Sequence, residues 1–361
     1  MHEHKHNQCK RKVKHRKNVM KLIIFCITVG ISLMFIYYQN LRKEIDARQK
    51  WLETVLTGEK KWILENQGPE GEFYMNRSKA GDVNPYFACM AALGLLAETK
   101  NCPITETEKK AVGRYLDWHT GILLETDGKM GIYRKKSGKL IYKEKADSED
   151  GYLGMYLFLM GKYLEKTEST DLPEYWKKGI SLALKKIQSL MQDGITQVSE
   201  ENTTVYLMDN LEVWKGLYEL EHAGLKDVQA IREMRNKLQA QIEKLFWDDA
   251  NQRWRIIENS DLYHQKEFYP DGVAQIYPLI YEFPVKEKKK QKILYKQVTE
   301  RFQWQKLTKK RNGFLWAMTG MAAAQMGDIN NLLEMIRNYE AEYCENRKYP
   351  LYTGEAGWIC M

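Results

Sequence analysis

Two kinds of apolar pattern alternate along the chain. Val228, Ile231, Met234, Leu238, Ile242 and Leu245 recur at steps of three and four, the spacing of a helix with one apolar stripe. Gly151 to Gly161 carries no charge and places apolar residues on every face, as a helix buried on all sides must. The pairing recurs six times. Charged amphipathic helices are predicted at about 47–65, 105–119, 174–191, 227–245, 286–304 and 329–343, and weakly charged ones begin near 85, 150, 208, 271, 312 and 354. Pro85, after Asn84, suits a first helical position. Gly128–Tyr133 and Gly138–Tyr142 read as a β-hairpin, and Arg253–Ile257 as strand-like. Repetition at about 40–65 residues signals stacked helical hairpins. Six charged helices enclosing six apolar ones predict an all-α fold, a closed (α/α)6 toroid of six helical hairpins. In such a ring the inner helices run parallel, so their N-termini open on one face.

The N-terminal part has a different pattern. Leu22 to Tyr38 is an uncharged run ending in two tyrosines, at the short limit for a transmembrane helix with an interfacial aromatic pair. No small-x-small cleavage site follows it, which favours an uncleaved signal anchor over a signal peptide. The expected organisation is a basic cytoplasmic tail at 1–21, a transmembrane helix at 22–38, a juxtamembrane linker at 39–46 and an extracytoplasmic domain at 47–361. The protein is thus expected to be single-pass in the cell membrane with a cytoplasmic N-terminus. The tail holds eight Lys and Arg against Glu3, nearly all of the net +8, so the remainder is close to neutral. That distribution argues against a nucleic-acid partner and for contact with the bilayer.

The chain contains no Cys-x-x-Cys, no G-x-S-x-G and no Gly-rich phosphate loop, and His119, His222 and His264 stand in no zinc-ligand spacing. No metal or organic cofactor is expected, and any hydrolysis would run on carboxylates. The expected rim gathers Glu149, Asp150, Asp209 with Glu212, Asp271 and Glu355. Around them stand Tyr86, Tyr152, Tyr206, Trp214, Tyr269, Trp316 and Trp358. Each acid alone also reads as a helix cap. Aromatic faces suit the C–H faces of sugar rings, and two carboxylates flanking a glycosidic bond suffice to cleave it. The expected acid/base pair is Asp150 and Asp209, with Asp271 and Glu355 as sugar-binding or alternative catalytic acids. Cys89 and Cys360, on the first and last inner helices, are candidates for a disulfide across the ring closure.

The six pairs, with Asn84-Pro-Tyr, Ser148-Glu-Asp-Gly-Tyr, Leu207-Met-Asp-Asn, Phe268-Tyr-Pro-Asp-Gly-Val-Ala-Gln and Gly354-Glu-Ala-Gly-Trp, resemble the six-hairpin glycosidase superfamily over roughly residues 50–361. Glycoside hydrolase family 8 carries an acidic motif before its second inner helix, which here falls on Asp147–Asp150. Its general-acid Glu at the first hairpin has no match at Asn84-Pro85-Tyr86. Unsaturated glucuronyl hydrolases use Asp residues on successive hairpins, similar to Asp150 with Asp209. The resemblance implies a glycoside hydrolase acting on a polysaccharide or oligosaccharide. The alternative is a non-catalytic glycan-binding or exopolysaccharide-assembly module on the same fold.

Overall fold

The computed structural model describes residues 2–76, 81–136, 139–169, 172–258, 260, 267–286, 288–307, 314–348 and 350–361, with the side chains of 2–19, 21–26, 29 and 32 excepted. The chain divides into two units, Met1–Thr54 and Val55–Met361. Helix α1 (His2–Glu65) accounts for the first unit. Among the described residues no helix is long and apolar enough to cross a membrane. The expected span at 22–38 falls partly on side chains outside the described ones. Within it Ile27, Ile31, Leu33, Met34, Phe35, Ile36, Tyr37 and Tyr38 are all exposed.

Among the described residues of the second unit eleven α-helices follow α1: α2 (Pro85–Leu95), α3 (Glu106–Glu125), α4 (Glu149–Thr167), α5 (Glu174–Leu190), α6 (Leu207–His222), α7 (Gln229–Phe246), α8 (Val273–Ile280), α9 (Lys288–Phe302), α10 (Thr319–Met326), α11 (Ile329–Tyr339) and α12 (Thr353–Cys360). The even-numbered helices pack in a ring, each against the next, and α12 closes it against α2. The odd-numbered ones lie outside, α3 on α2, α5 on α4, α7 on α6, α9 on α8 and α11 on α10. The expected alternation of apolar inner and amphipathic outer helices is therefore present.

Local chemistry explains the elements. Asn84 caps α2 by accepting the N–H of Tyr86 at 2.9 Å, with Pro85 at the first helical position. Thr105 and Glu108 form a reciprocal capping box at α3. Ser148 caps α4, which is buried from Asp150 through Gly161. The ring closes on two glycines. A methyl carbon added at Gly94 would lie 2.5 Å from the Gly357 Cα, and one added at Gly357 would lie 2.1 Å from the Met90 carbonyl oxygen. Only hydrogen fits between these backbones. The outer layer closes too: buried Glu59 accepts Tyr339 Oη at 2.6 Å and is paired with Arg347.

The structure departs from the pattern in four places. The first helix is much longer than 47–65. The expected hairpin, β2 (Gly131–Lys136) with β3 (Lys139–Lys145), gains a third strand, β1 (Asp82–Val83), held by the Arg134–Asp82 ion pair. The strand-like stretch shrinks to Arg253–Trp254, paired with Trp247–Asp248. The fifth inner helix starts at Thr319 rather than near 312. Residues 311–313 lie outside the described residues, and Trp316 adopts a left-handed backbone (φ 59°) that no helix continues through.

Candidate active site

The first turns of α4 and α6 bring acids together because α6 packs along α4. Asp150 is completely buried. Its Oδ1 accepts Ser148 Oγ at 2.8 Å and the Gly151 N–H at 3.0 Å, and its Oδ2 accepts Thr196 Oγ1 at 2.7 Å. Thr196 is itself fixed by Asn210, whose Oδ1 accepts the Thr196 N–H at 2.8 Å. Burial pushes the Asp150 carboxyl up to about 6, against hydrogen bonds from Thr196 and Ser148 that lower it. Fully buried and already holding three donors, Asp150 acts on its surroundings through charge rather than contact.

Asp209, one turn into α6, is half-buried. Burial, then the charges of Asp150 and Glu212, push its carboxyl well above the ordinary range. Asp147, exposed in the segment before α4, adds its charge to Asp209, Tyr152 and Tyr269 and so belongs to the same rim.

Glu212, one further turn along α6, is 2 % exposed. Its Oε1 accepts the hydroxyls of Tyr86 from α2 and of Tyr277 from α8 (2.5 Å), with Tyr281 at 3.4 Å. Burial pushes its carboxyl up to about 7, against the lowering effect of Tyr277 and Tyr86. Three inner helices, α2, α6 and α8, thus meet at one carboxylate.

An aromatic wall stands beside these acids. Tyr269, 39 % exposed, stacks on Trp316 with ring centres 4.9 Å apart. Phe314 stacks on Phe87 at 5.3 Å, and Tyr86 leans on Tyr152 at 5.5 Å. Buried Glu355 positions the wall: its carboxylate accepts the N–H groups of Leu315 and Trp316 at 3.1 Å and of Ala317 at 2.8 Å. Burial pushes Glu355 up to about 6, against those three donors.

Of the residues expected at the rim, Asp150, Asp209, Tyr86, Tyr152, Tyr269 and Trp316 come together. Tyr206 pairs its backbone with Ile257 just before α6 and influences the Tyr269 hydroxyl. Glu149 instead turns to Lys145 of β3 at 3.3 Å. Asp271 is buried in the turn Phe268–Gly272 leading into α8, and Glu355 is the backbone clamp just described. Trp214 is buried facing the outer layer, its indole N–H donating to Gln239 of α7 at 3.3 Å, and therefore lies away from the rim. Trp358 is buried edge-on against Tyr281 at 6.0 Å, and its indole N–H finds no partner among the described residues. Tyr277 and Tyr281 were not expected at the site, and nothing local signals them; Asp147 was read only as part of the acidic motif Asp147–Asp150. Cys89 and Cys360 do not pair. Cys89 faces Tyr115 and His119 of α3, each at 3.6 Å, whereas Cys360 faces the Leu56 carbonyl of α1. Among the described residues no group of His, Cys, Asp and Glu is arranged to hold a metal ion.

No protein-family model and no curated protein matches the chain. Solved structures do. A wild-type glycosidase superimposes with a TM-score of 0.60 at 11 % identity, over 86 % of this chain and 95 % of its own. A β-1,3-1,4-glucanase from Paenibacillus sp. X4 gives 0.54 at 11 % identity, over 86 % and 91 %. A sugar epimerase from a ruminal bacterium gives 0.54 at 9 % identity, over 86 % and 97 %. The second unit shares the helical-toroid fold of these proteins, and at such identities the likeness concerns the fold alone.

Proposed function

We propose that this protein is a glycoside hydrolase that cleaves a polysaccharide or oligosaccharide at the rim of its inner helices, with Asp209 as the proton donor. The observation that carries the reading is the place of Asp209: a half-buried carboxyl beside the Tyr269–Trp316 stack, pushed well above the ordinary range by burial and by the neighbouring charges of Asp150 and Glu212. A carboxyl raised in this way is suited to protonate a leaving glycosidic oxygen. Asp147, exposed beside it, is the second carboxylate, activating water or attacking the sugar. Asp150, expected from the sequence to share the chemistry directly, is too enclosed to touch substrate; its role is to raise Asp209. The glycosidase and glucanase among the structural neighbours support a carbohydrate substrate.

The test is reducing-sugar release from a broad polysaccharide panel by the full chain, beside Asp209→Asn and Asp147→Asn. A loss of about 10²-fold or more in both, the range typical for a positioned acid or base, with unchanged melting temperature supports the assignment. Activity surviving Asp209→Asn removes Asp209 from the role.

A glycan-binding module without turnover is the second reading. It is favoured by the enclosure of Asp150, which leaves fewer acids open to solvent. Glycan-dependent thermal stabilisation with no sugar release from any substrate would select it.

The reading includes membrane anchoring through 22–38, supported by the exposed Ile27, Ile31, Met34 and Phe35 of α1 and the basic flank before them. Flotation of the full chain with anionic liposomes, lost when 1–38 is deleted, checks it; flotation that survives the deletion rejects it.

A further inference from the structure

Glu212 has a feature that a purely structural carboxylate would lack. Tyr86, Tyr277 and Tyr281 all direct their hydroxyls at Oε1, and Oε2 accepts no hydrogen bond from the described residues. Oε2 faces Gly151 of α4. A methyl carbon there would lie 2.7 Å from Glu212 Oε2, 2.9 Å from Ser148 Oγ and 3.7 Å from Asp209 Oδ1. The missing side chain of Gly151 therefore lets three oxygens, two of them on carboxyl groups, close in around its Cα. Oε2 is therefore the one carboxylate oxygen of Glu212 that the tyrosines leave available to its neighbours.

We propose that Glu212 is the proton reservoir of Asp209, handing it a proton past Gly151 after each cleavage. This rests on the hydrolase reading above. Asp209 gives its proton to the leaving oxygen as the C–O bond breaks and becomes a carboxylate. Glu212 then passes its own proton to Asp209, through Ser148 Oγ or a water, and becomes the carboxylate that the tyrosine hydroxyls stabilise. The proton lost by the attacking water, taken first by Asp147, returns to Glu212, so the cycle balances.

The groups facing Glu212 fit this direction of transfer. From α2 comes Tyr86; from α4, Asp150 and Tyr152; from the turn before α8, Tyr269; from α8, Tyr277 and Tyr281; on α6 itself, Asp209. Burial brings Glu212 to about 7 and raises Asp209 as well, so both carboxyls are pushed toward the form that carries a proton.

The experiment compares wild type with Glu212→Gln and Tyr277→Phe on any substrate the wild type cleaves. A reservoir predicts that Glu212→Gln keeps a first turnover, loses about tenfold or more in steady-state kcat at unchanged KM, and regains rate with millimolar imidazole or acetate as a diffusible acid. Tyr277→Phe removes one stabiliser of the charged form and moves the kcat–pH profile to higher pH. Glu212→Gln with wild-type kcat and no buffer rescue would overturn the proposal while leaving the hydrolase intact. Should the wild type release no sugar, the hydrolase reading fails and infrared titration decides the rest. A protonated-carboxyl component near neutral pH that Glu212→Gln removes and Asp209→Asn displaces keeps the shared proton, and a wild-type spectrum with no component that Glu212→Gln removes rejects it.

Discussion

Thr196 Oγ1 lies 2.7 Å from Oδ2 of Asp150, so a residue of the turn after α5 supplies the donor that lets a fully buried carboxylate exist at the mouth of α4. The contact links two successive hairpins through one proton. Thr196→Val should leave that oxygen without its donor and destabilise the fold by about 1–3 kcal/mol. Urea denaturation measures it, and a change near zero would show that the hydroxyl is dispensable.

Glu355 presents a larger liability. Replacing it by Ala strands the N–H groups of Leu315, Trp316 and Ala317, at a cost of about 3 kcal/mol or more if each loses its partner. The Tyr269–Trp316 stack should loosen with it. Calorimetry on Glu355→Ala, with Glu355→Gln as the milder variant, provides the check.

Stability should carry a pH signature of Glu212. Its folded carboxyl sits at about 7 against 4.5 for an unperturbed Glu, so between those values the folded state holds a proton that the unfolded state has lost. Stability from this group is present below about pH 4.5 and is lost as pH rises to about 7. His119, lowered to about 3 by burial, works in the opposite sense as pH falls. The comparison with Glu212→Gln cancels that background. The melting temperature of the wild type relative to the variant should fall from pH 5 to pH 8, and a flat difference would contradict the raised carboxyl.

Tyr269 is exposed enough to be removed without disturbing the core. Tyr269→Ala should raise KM about fivefold or more, the ~1 kcal/mol expected of an aromatic anchor, with little change in melting temperature. An unchanged KM would take the stack out of the binding surface.

The four cysteines of the second unit should remain thiols. Cys89, Cys102, Cys344 and Cys360 are all free, so alkylation in denaturant should label the peptides carrying them equally with and without reductant. Labelling that requires reductant would show a bond that this arrangement does not allow for.

Much of the fold was legible because a toroid writes itself as alternation. An inner helix must be apolar on every face, as Gly151–Gly161 is, and an outer one only on a stripe, as α7 is. The caps at Asn84 and Ser148 were local and therefore readable. The site was less so, because its decisive contacts join distant hairpins. Asp150 looked like an open acid until Thr196 and Ser148 closed over it, and Glu212 gained its meaning only from Tyr86 and Tyr277. Trp214 shares a helix with Asp209 but points the other way, toward Gln239, a distinction no motif carries. The fifth inner helix was placed early because Phe314–Trp316 is as apolar as a helix start, while its backbone is held non-helical by Glu355.

The glycine contact between α2 and α12 bears on how the chain reaches this state. Residues 94 and 357 touch through their backbones, which makes the closing contact among the longest-range in the sequence. Open helical arrays can add hairpins one at a time, each stabilised by its neighbour. A ring whose first inner helix lacks a lining until the last is in place behaves differently: the entropy of closing that long loop is lost before the contact repays it. Folding of the second unit should thus be slow and all-or-none, and its stability cannot be divided among its hairpins.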